Sequence, residues 1–198
     1  DVYKRQVINQ KGGVGKTTTV INLAAGLSQL NKKILVIDLD PQGNATTGLG
    51  LSNTDGSSDT IYGVLNGSKE INEVIKKTQF NNLDIVTSNV DLSGLEVETA
   101  DDNNRAFILD VKLASYLNNS GGAYDYVLID CPPSLSLLTV MALVCSDSLL
   151  VPLQTEFFAL EGLTQLMKTI ERVKVSLNQS LKIRGILLTM YDLSLIHI

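Results

Sequence analysis

The stretch Lys11-Gly12-Gly13-Val14-Gly15-Lys16-Thr17-Thr18 decides how the rest of this sequence is interpreted. It follows a short stretch at Gln6–Asn9 and precedes apolar residues that recur at helical spacing from Val20 to Leu30. Its three glycines allow positive φ, so that backbone N–H groups can surround an anion. A glycine-rich loop between a strand and a helix, with a lysine at the start of the helix, is typical of a phosphate-binding loop.

This stretch departs from the general P-loop pattern, which requires a glycine where the sequence has Gln10, and it carries an extra lysine, Lys11. This difference leaves the phosphate-binding chemistry of the loop unchanged. Lys16 is placed to neutralise the β- and γ-phosphates, the Thr17 hydroxyl is an expected Mg²⁺ ligand, and Thr18 can donate to the α-phosphate. The predicted phosphate site comprises Lys11, Gly12, Gly13, Val14, Gly15, Lys16, Thr17 and Thr18.

Three carboxylates stand where predicted strands end. Asp130 follows the apolar run 126–129, which is the position of a Walker B carboxylate that reaches Mg²⁺ through water. Asp38 and Asp40 end the second predicted strand, at the edge where α/β sheets bind ligands. We expect either of these two to orient a water molecule or a Mg²⁺-bound water, and Asp38 is a further candidate for the metal site.

Short apolar runs alternate with helical patterns along the chain. The run Ile34–Ile37 is continuous, as expected for a strand buried on both faces, and the prolines after Asp130 end another strand. Alternation of this kind predicts an α/β fold of the P-loop NTPase type. It would have a mostly parallel central sheet with helices on both faces, giving three layers.

The composition excludes several classes of protein. The chain has 198 residues with a formal net charge of −5, no Trp and 5% aromatic residues, so it is neither a bulk-basic nucleic-acid binder nor a base-stacking platform. Its two cysteines, Cys131 and Cys145, form no Cys-x-x-Cys pair and favour two buried thiols in a reducing compartment. The longest apolar runs are too short to span a membrane, so we expect a cytoplasmic protein that does not contact membranes.

Four stretches together resemble the ParA/Soj family of partitioning ATPases, which carry a deviant Walker A motif. They are the loop 11–18, Asp38-Leu39-Asp40-Pro41-Gln42-Gly43-Asn44, Asp130-Cys131-Pro132-Pro133-Ser134 and Glu156-Phe157-Phe158-Ala159-Leu160-Glu161-Gly162. The resemblance runs from about Val7 to Asp192.

This resemblance implies an ATP- and Mg²⁺-dependent switch. ATP would join two subunits into a homodimer, with Lys11 reaching the partner's phosphates and Asp40 positioning the attacking water, while Asp38 shapes the same region. The ATP dimer would bind DNA without sequence preference, in association with the nucleoid. A ParB-type partner would stimulate hydrolysis that is otherwise slow.

Both ends of the chain depart from the family pattern. We therefore expect residues 1–6 and 193–198 to be non-native and 7–192 to be an incomplete ATPase domain, truncated at its C-terminus. The family's adenine-contacting and DNA-binding residues lie beyond this region and cannot be assigned. Lys182 and Arg184 are more simply explained as a solvated strand edge than as DNA contacts, and His197 is given no role.

Three alternatives remain open from the sequence. One is a membrane-recruited positioning ATPase of the MinD type, which requires a C-terminal amphipathic helix that this sequence lacks. Another is an iron–sulfur reductase, which needs a cluster cysteine shortly after the Walker B region, where the sequence has none. The last is a fragment that folds poorly and has no activity.

Overall fold

A computed structural model describes residues 2–9, 11–52, 58–121, 123–155 and 159–191. The first part of the motif at 156–162, and everything from Asp192 onward, lie outside the described residues. The domain limits expected from the sequence are not tested by the structure and stay a prediction.

The described residues form one sheet of seven strands, ordered β3-β4-β2-β5-β1-β6-β7. Neighbouring strands are parallel except β3 and β4, which are antiparallel. The strands are β1 (Tyr3–Val7), β2 (Ile34–Asp38), β3 (Ile75–Lys77), β4 (Leu83–Val86), β5 (Tyr126–Asp130), β6 (Ser148–Gln154) and β7 (Lys182–Thr189).

Eight α-helices lie within the described ranges, and two 3₁₀ turns, Val90–Gly94 and Arg105–Phe107, accompany them. The helices are α1 (Lys16–Gln29), α2 (Asn44–Gly48), α3 (Ile61–Leu65), α4 (Ile71–Val74), α5 (Leu95–Glu98), α6 (Ile108–Asn119), α7 (Leu137–Cys145) and α8 (Ala159–Ser176). In these same ranges, no helix is both long enough and apolar enough to cross a bilayer.

The two faces of β2 show why the sheet is covered on both sides. Ile34 and Val36 belong to a core cluster that includes Val20 of α1, whereas Leu35 and Ile37 belong to a second cluster with side chains of α6 and α7. Successive side chains of a strand point to opposite faces, so a continuous apolar run requires helices on each side. The predicted three-layer α/β/α fold is confirmed.

Strand β1 lies in the middle of the sheet, paired with β5 and β6, although its sequence is polar. The Arg5 guanidinium lies over the rings of Tyr3 and Tyr126, at 5.7 and 5.0 Å from their centroids. The Gln6 side-chain amide donates to the Sγ of Cys131 at 2.9 Å. These contacts are how the fold accommodates polar side chains that the sequence pattern would place poorly in a central strand.

The carboxyl ends of β1, β2 and β5 meet at one edge of the sheet. Asp38 is the register partner of Asp130, and Val7 is the partner of Asp130 on the other side. The loop from β1 to α1 starts at this edge. The parallel topology therefore brings the glycine-rich loop and the strand-end carboxylates together, as expected from the sequence.

Candidate functional site: a phosphate loop with buried carboxylates

The loop between β1 and α1 has the backbone shape that its glycines predict. Gly13 and Gly15 have φ of 74° and 85°, which are positive values that residues with a side chain rarely adopt. Gly15 is the N-cap of α1 and Lys16 is its first residue, and the first turn has no acidic residue and no side-chain cap. The amide groups and positive dipole end of α1 are thus left for an anion.

A cavity of about 270 Å³ lies over this loop. It brings together most of the residues predicted from the sequence, with Asp40 opposite the loop. Its lining is formed by Gly12, Gly13, Gly15, Lys16, Thr17, Thr18, Asp40, Asn44, Pro133 and Met190. A larger apolar cavity of about 600 Å³ adjoins it and shares Gly15, Thr18 and Met190 with it.

Four predicted site residues do not line the phosphate cavity, namely Val14, Lys11, Asp38 and Asp130. The Val14 side chain is buried, with 1% exposed, so this residue can contribute only its backbone to the cavity. Lys11 is exposed at the start of the loop, and its backbone N–H donates to Asn9 Oδ1 at 3.0 Å. Asn9 in turn donates from Nδ2 to the carbonyl of Pro152 in β6 at 2.7 Å. Asn9 therefore fixes the loop to the sheet, a role that no sequence pattern indicates.

Lys16 is the one charged side chain of the phosphate cavity that comes from α1. It is 7% exposed, and its Nζ donates to the carbonyl of Lys11 at 3.0 Å. Burial lowers the pKa of its ammonium group, and the negative charges of Asp130 and Asp40 oppose that effect. The ammonium is therefore held over the loop by a bond to a neutral carbonyl, which an anionic ligand can replace.

Asp130 lies at the end of β5, fully buried. Within the described part of the chain, neither of its carboxylate oxygens makes a hydrogen bond of good geometry, although the Thr17 hydroxyl lies close enough to favour the charged form. Burial is the main cause that raises its pKa to about 7, followed by the charge of Asp38, while the Thr17 hydroxyl and Lys16 act in the opposite direction. A buried carboxylate without a partner is costly, so its presence points to a cation that the folded site receives.

Asp38 is as fully buried as Asp130, but its carboxylate oxygens accept three hydrogen bonds. Its Oδ2 accepts from the backbone N–H and the hydroxyl of Thr46, both at 2.8 Å, and its Oδ1 accepts from the backbone N–H of Asp40 at 3.1 Å. Burial raises its pKa to about 6, and these three donors oppose the rise. Asp38 thus holds the loop after β2 and helix α2, and the geometry favours Asp130 over Asp38 as the carboxylate that faces a metal ion.

Asp40 lies in the loop that Asp38 holds. It is 6% exposed and lines the phosphate cavity, and its Oδ1 accepts from the backbone N–H of Gln42 at 2.9 Å. The carbonyl of Asp40 accepts from the N–H of Gly43 at 2.8 Å, which closes the turn before α2. Asp40 is therefore positioned by its own turn and can receive a hydrogen bond from a water beside the phosphates.

The site fits a magnesium ion. Mg²⁺ takes oxygen ligands and keeps several waters, so one hydroxyl and one carboxylate beside phosphate oxygens suffice. Thr17 and Asp130 supply these two groups. No cluster of three or more His, Cys, Asp or Glu side chains able to hold a metal occurs in the described ranges, so phosphate and water oxygens would have to complete the coordination.

Several residues of the site escaped prediction. Asn44 and Pro133 line the cavity and lie within stretches already singled out, where the loop spacing could have indicated them. Met190 also lines it, and Thr46 holds Asp38, but both are distant in sequence or have no charge to attract attention. Their roles depend on which strand ends meet at this edge, which a single sequence does not reveal.

Known proteins resemble this chain over most of its length. A family model described as an AAA domain matches residues 5–183. The chromosome partitioning protein ParA of Caulobacter vibrioides (strain NA1000 / CB15N) is 52% identical over 186 residues, which are 94% of this chain and 68% of that protein. The chain belongs to the ParA/Soj family. The sporulation initiation inhibitor protein Soj of Bacillus subtilis, 46% identical over 94% of this chain and 72% of its own length, is another relative.

Solved structures share the fold of this ParA/Soj chain. A cobyrinic acid a,c-diamide synthase from Mycobacterium smegmatis with bound ADP and magnesium has a TM-score of 0.90 and 36% identity, covering 98% of this chain and 77% of that one. A plasmid partition protein from Borrelia burgdorferi has a TM-score of 0.81 and 29% identity, covering 98% of this chain and 80% of its own. The first name describes a different activity, so the fold is shared more widely than the role in partitioning.

Proposed function

We propose that this ParA/Soj chain binds ATP with Mg²⁺ at the phosphate loop and hydrolyses it slowly. The observation that carries the proposal is the fully buried Asp130 carboxylate, whose oxygens have no hydrogen-bond partner in the described structure and which lies beside Lys16 and Thr17. A bound cation would neutralise the Asp130 carboxylate, and phosphate oxygens would accept from Lys16, so this arrangement is stabilised when both are present. The magnesium-bound ADP of the Mycobacterium smegmatis structure is a ligand of this class.

The polar side chains at the start of α1 would contact the phosphates and the metal of bound ATP. Lys16 exchanges its bond to the Lys11 carbonyl for the β- and γ-phosphates, and Thr18 donates to the α-phosphate. Thr17 and, through water, Asp130 would hold Mg²⁺, which neutralises charge on the phosphates when bound. The amides from Gly12 to Lys16 surround the remaining phosphate oxygens.

Hydrolysis is assigned to Asp40 and Lys11. Asp40 lines the phosphate cavity with its carboxylate fixed by the Gln42 amide, so it can orient the attacking water. Lys11 is exposed and does not line the cavity of its own chain, which supports a role across the interface of an ATP-dependent homodimer. A lysine inserted from a partner would stabilise charge in the transition state as an arginine finger does.

The cellular role that we propose is partition of a chromosome or plasmid. The ATP dimer would bind DNA without sequence preference in the cytoplasm, at the nucleoid, and a ParB-type protein would stimulate hydrolysis. Support comes from relatives with partitioning names, including the Caulobacter vibrioides ParA at 52% identity and the Borrelia burgdorferi plasmid partition protein at 29% identity.

Calorimetric titration with ATP in the presence of Mg²⁺ tests the nucleotide site. Lys16→Ala removes a buried cation that contacts phosphate, so we expect affinity at least tenfold weaker, since a charged hydrogen bond contributes about 1.5–3 kcal/mol. Lys112→Ala is the matched control, because Lys112 pairs with Glu70 at 2.8 Å away from the cavity. Equal affinities for the wild type and Lys16→Ala would refute the proposed site.

A further inference from the structure

Thr189, the last residue of β7, contacts the phosphate loop. Its hydroxyl donates a hydrogen bond of 2.9 Å to the carbonyl of Val14, from which it is separated by 175 positions in the sequence. A Cβ added to Gly15 would lie 3.6 Å from the methyl group of Thr189, so this side chain also packs beside the next loop residue. One side chain from the edge strand β7 thus bonds to one loop residue and lies beside the next.

The bonded carbonyl determines where a loop amide points. The C=O of Val14 and the N–H of Gly15 belong to one planar trans peptide unit, in which they point in opposite directions. Val14 is buried, with 1% exposed, whereas the next residue, Gly15, lines the phosphate cavity. Fixing the Val14 carbonyl on the Thr189 side therefore directs the Gly15 N–H away from Thr189.

The peptide unit on the other side of Gly15 is fixed independently. The Gly15 carbonyl accepts from the backbone N–H of Thr19 at 2.8 Å and from the Thr19 hydroxyl at 2.6 Å. Gly15 has φ of 85° and no side chain to restrict it, so its backbone has the most conformational freedom to lose. With Thr19 holding one peptide unit, the hydrogen bond from Thr189 restrains the other.

We infer that Thr189 is a positioning residue of the phosphate loop. Its hydroxyl orients the Val14–Gly15 peptide so that the Gly15 amide is already directed at a bound phosphate. This inference rests on the proposed nucleotide site and adds to it a residue from outside the loop, on a strand that no phosphate motif includes. Without the hydroxyl, the peptide must be ordered when the ligand binds, and affinity falls by that cost.

The test is the affinity for ADP with Mg²⁺, measured by calorimetry. Thr189→Val keeps the shape of the side chain and removes the hydroxyl, so we expect binding about threefold to tenfold weaker, the effect of one neutral hydrogen bond. Thr189→Ser keeps the hydroxyl and should bind within about twofold of the wild type. The control Thr99→Val removes a similar hydroxyl bond, from Thr99 to the carbonyl of Leu95 at 2.7 Å in α5, and should leave the affinity unchanged.

A second readout separates positioning from general stability. The Gly15 amide resonance in a ¹⁵N-correlated NMR spectrum should shift in Thr189→Val without nucleotide and return toward its wild-type position in Thr189→Ser. If the valine variant does not fold, Thr189→Ala replaces it in the same comparison.

Equal affinities for the wild type, Thr189→Val and Thr99→Val would overturn the inference and leave the proposed function intact. If the wild type does not bind ADP at all, the proposed function itself is refuted.

Discussion

Replacing Asp130 with Asn should stabilise the nucleotide-free protein. The carboxylate is fully buried, and burial together with the charge of Asp38 raises its pKa from 3.8 to about 7. At about 1.4 kcal/mol per pKa unit, this rise corresponds to about 4 kcal/mol of instability when the group is ionised. The amide of Asn must also be buried without partners, at a cost of about 1–3 kcal/mol, so we expect a net gain of about 1–3 kcal/mol at pH 8.

The gain should depend on pH in a defined direction. The folded protein binds the Asp130 proton more tightly than the unfolded chain, so the stability of the wild type falls as the pH rises from about 4 to about 7. Asp130→Asn has no such group. Its advantage should therefore shrink by about 2–3 kcal/mol between pH 8 and pH 5.

Thermal unfolding with EDTA and without nucleotide measures both effects. For a chain of this length, a gain of 1 kcal/mol corresponds to about 2–4 °C in Tm. The control is Asp84→Asn, because Asp84 is 6% exposed but accepts from the Tyr124 hydroxyl at 2.7 Å and from Lys77 at 2.8 Å. That substitution should lower Tm. If Asp130→Asn melts below the wild type at pH 8, the account of an unpartnered carboxylate is incorrect.

Three further substitutions test other parts of the site. Lys11→Ala should bind ATP with affinity within about threefold of the wild type but fail to dimerise, so light scattering that shows an ATP-dependent dimer would contradict its role. Asp40→Ala should slow hydrolysis by a factor of about 10² or more while leaving ATP binding, and normal phosphate release would transfer the assignment to Asp38. Thr46→Val removes the hydroxyl that donates to Asp38 and accepts from the Ser88 amide at 3.1 Å, so chemical denaturation should show a loss of about 1–3 kcal/mol that Thr46→Ser largely restores.

The fold and the phosphate loop could be predicted because their signals are local. The glycines at 13 and 15 have the positive φ that a tight turn requires, and the run Ile34–Ile37 is buried on both faces as its continuity indicates. The likeness of four stretches to the ParA/Soj family predicted that Asp40 and Asp130 belong to the same site. In the structure both lie at the sheet edge that carries the loop. Asp38 links them, because it is the register partner of Asp130 and accepts from the backbone N–H of Asp40.

What could not be predicted depends on contacts between distant parts of the chain. Asp38 and Asp130 follow strands of similar composition, yet one has three donors and the other has none within the described residues. That difference arises because α2 folds back onto Asp38 through Thr46, and no spacing rule indicates it. Thr189 is likewise 175 positions from the loop carbonyl that it contacts, so only the order of the strands reveals it.

Strand β1 shows the limit of pattern reasoning in another way. Arg5 and Gln6 break the apolar pattern of a central strand, but the strand forms and pairs on both sides. Two tyrosine rings and one thiol contact these side chains, although Arg5 Nε and Gln6 Oε1 are buried without a hydrogen-bond partner within the described residues. Hydrophobic pattern alone does not contain this information, because the partners lie on other strands.

The most direct test of the account is the effect of Mg²⁺ on ATP affinity, measured by calorimetry with Mg²⁺ and with EDTA. If Asp130 and Thr17 hold the metal, Mg²⁺ should strengthen ATP binding to the wild type by about tenfold or more. In Asp130→Asn most of that gain should disappear, while the affinity in EDTA is equal to or better than that of the wild type. An equal gain from Mg²⁺ in both proteins would contradict the central claim that the buried carboxylate exists to receive the metal–nucleotide complex.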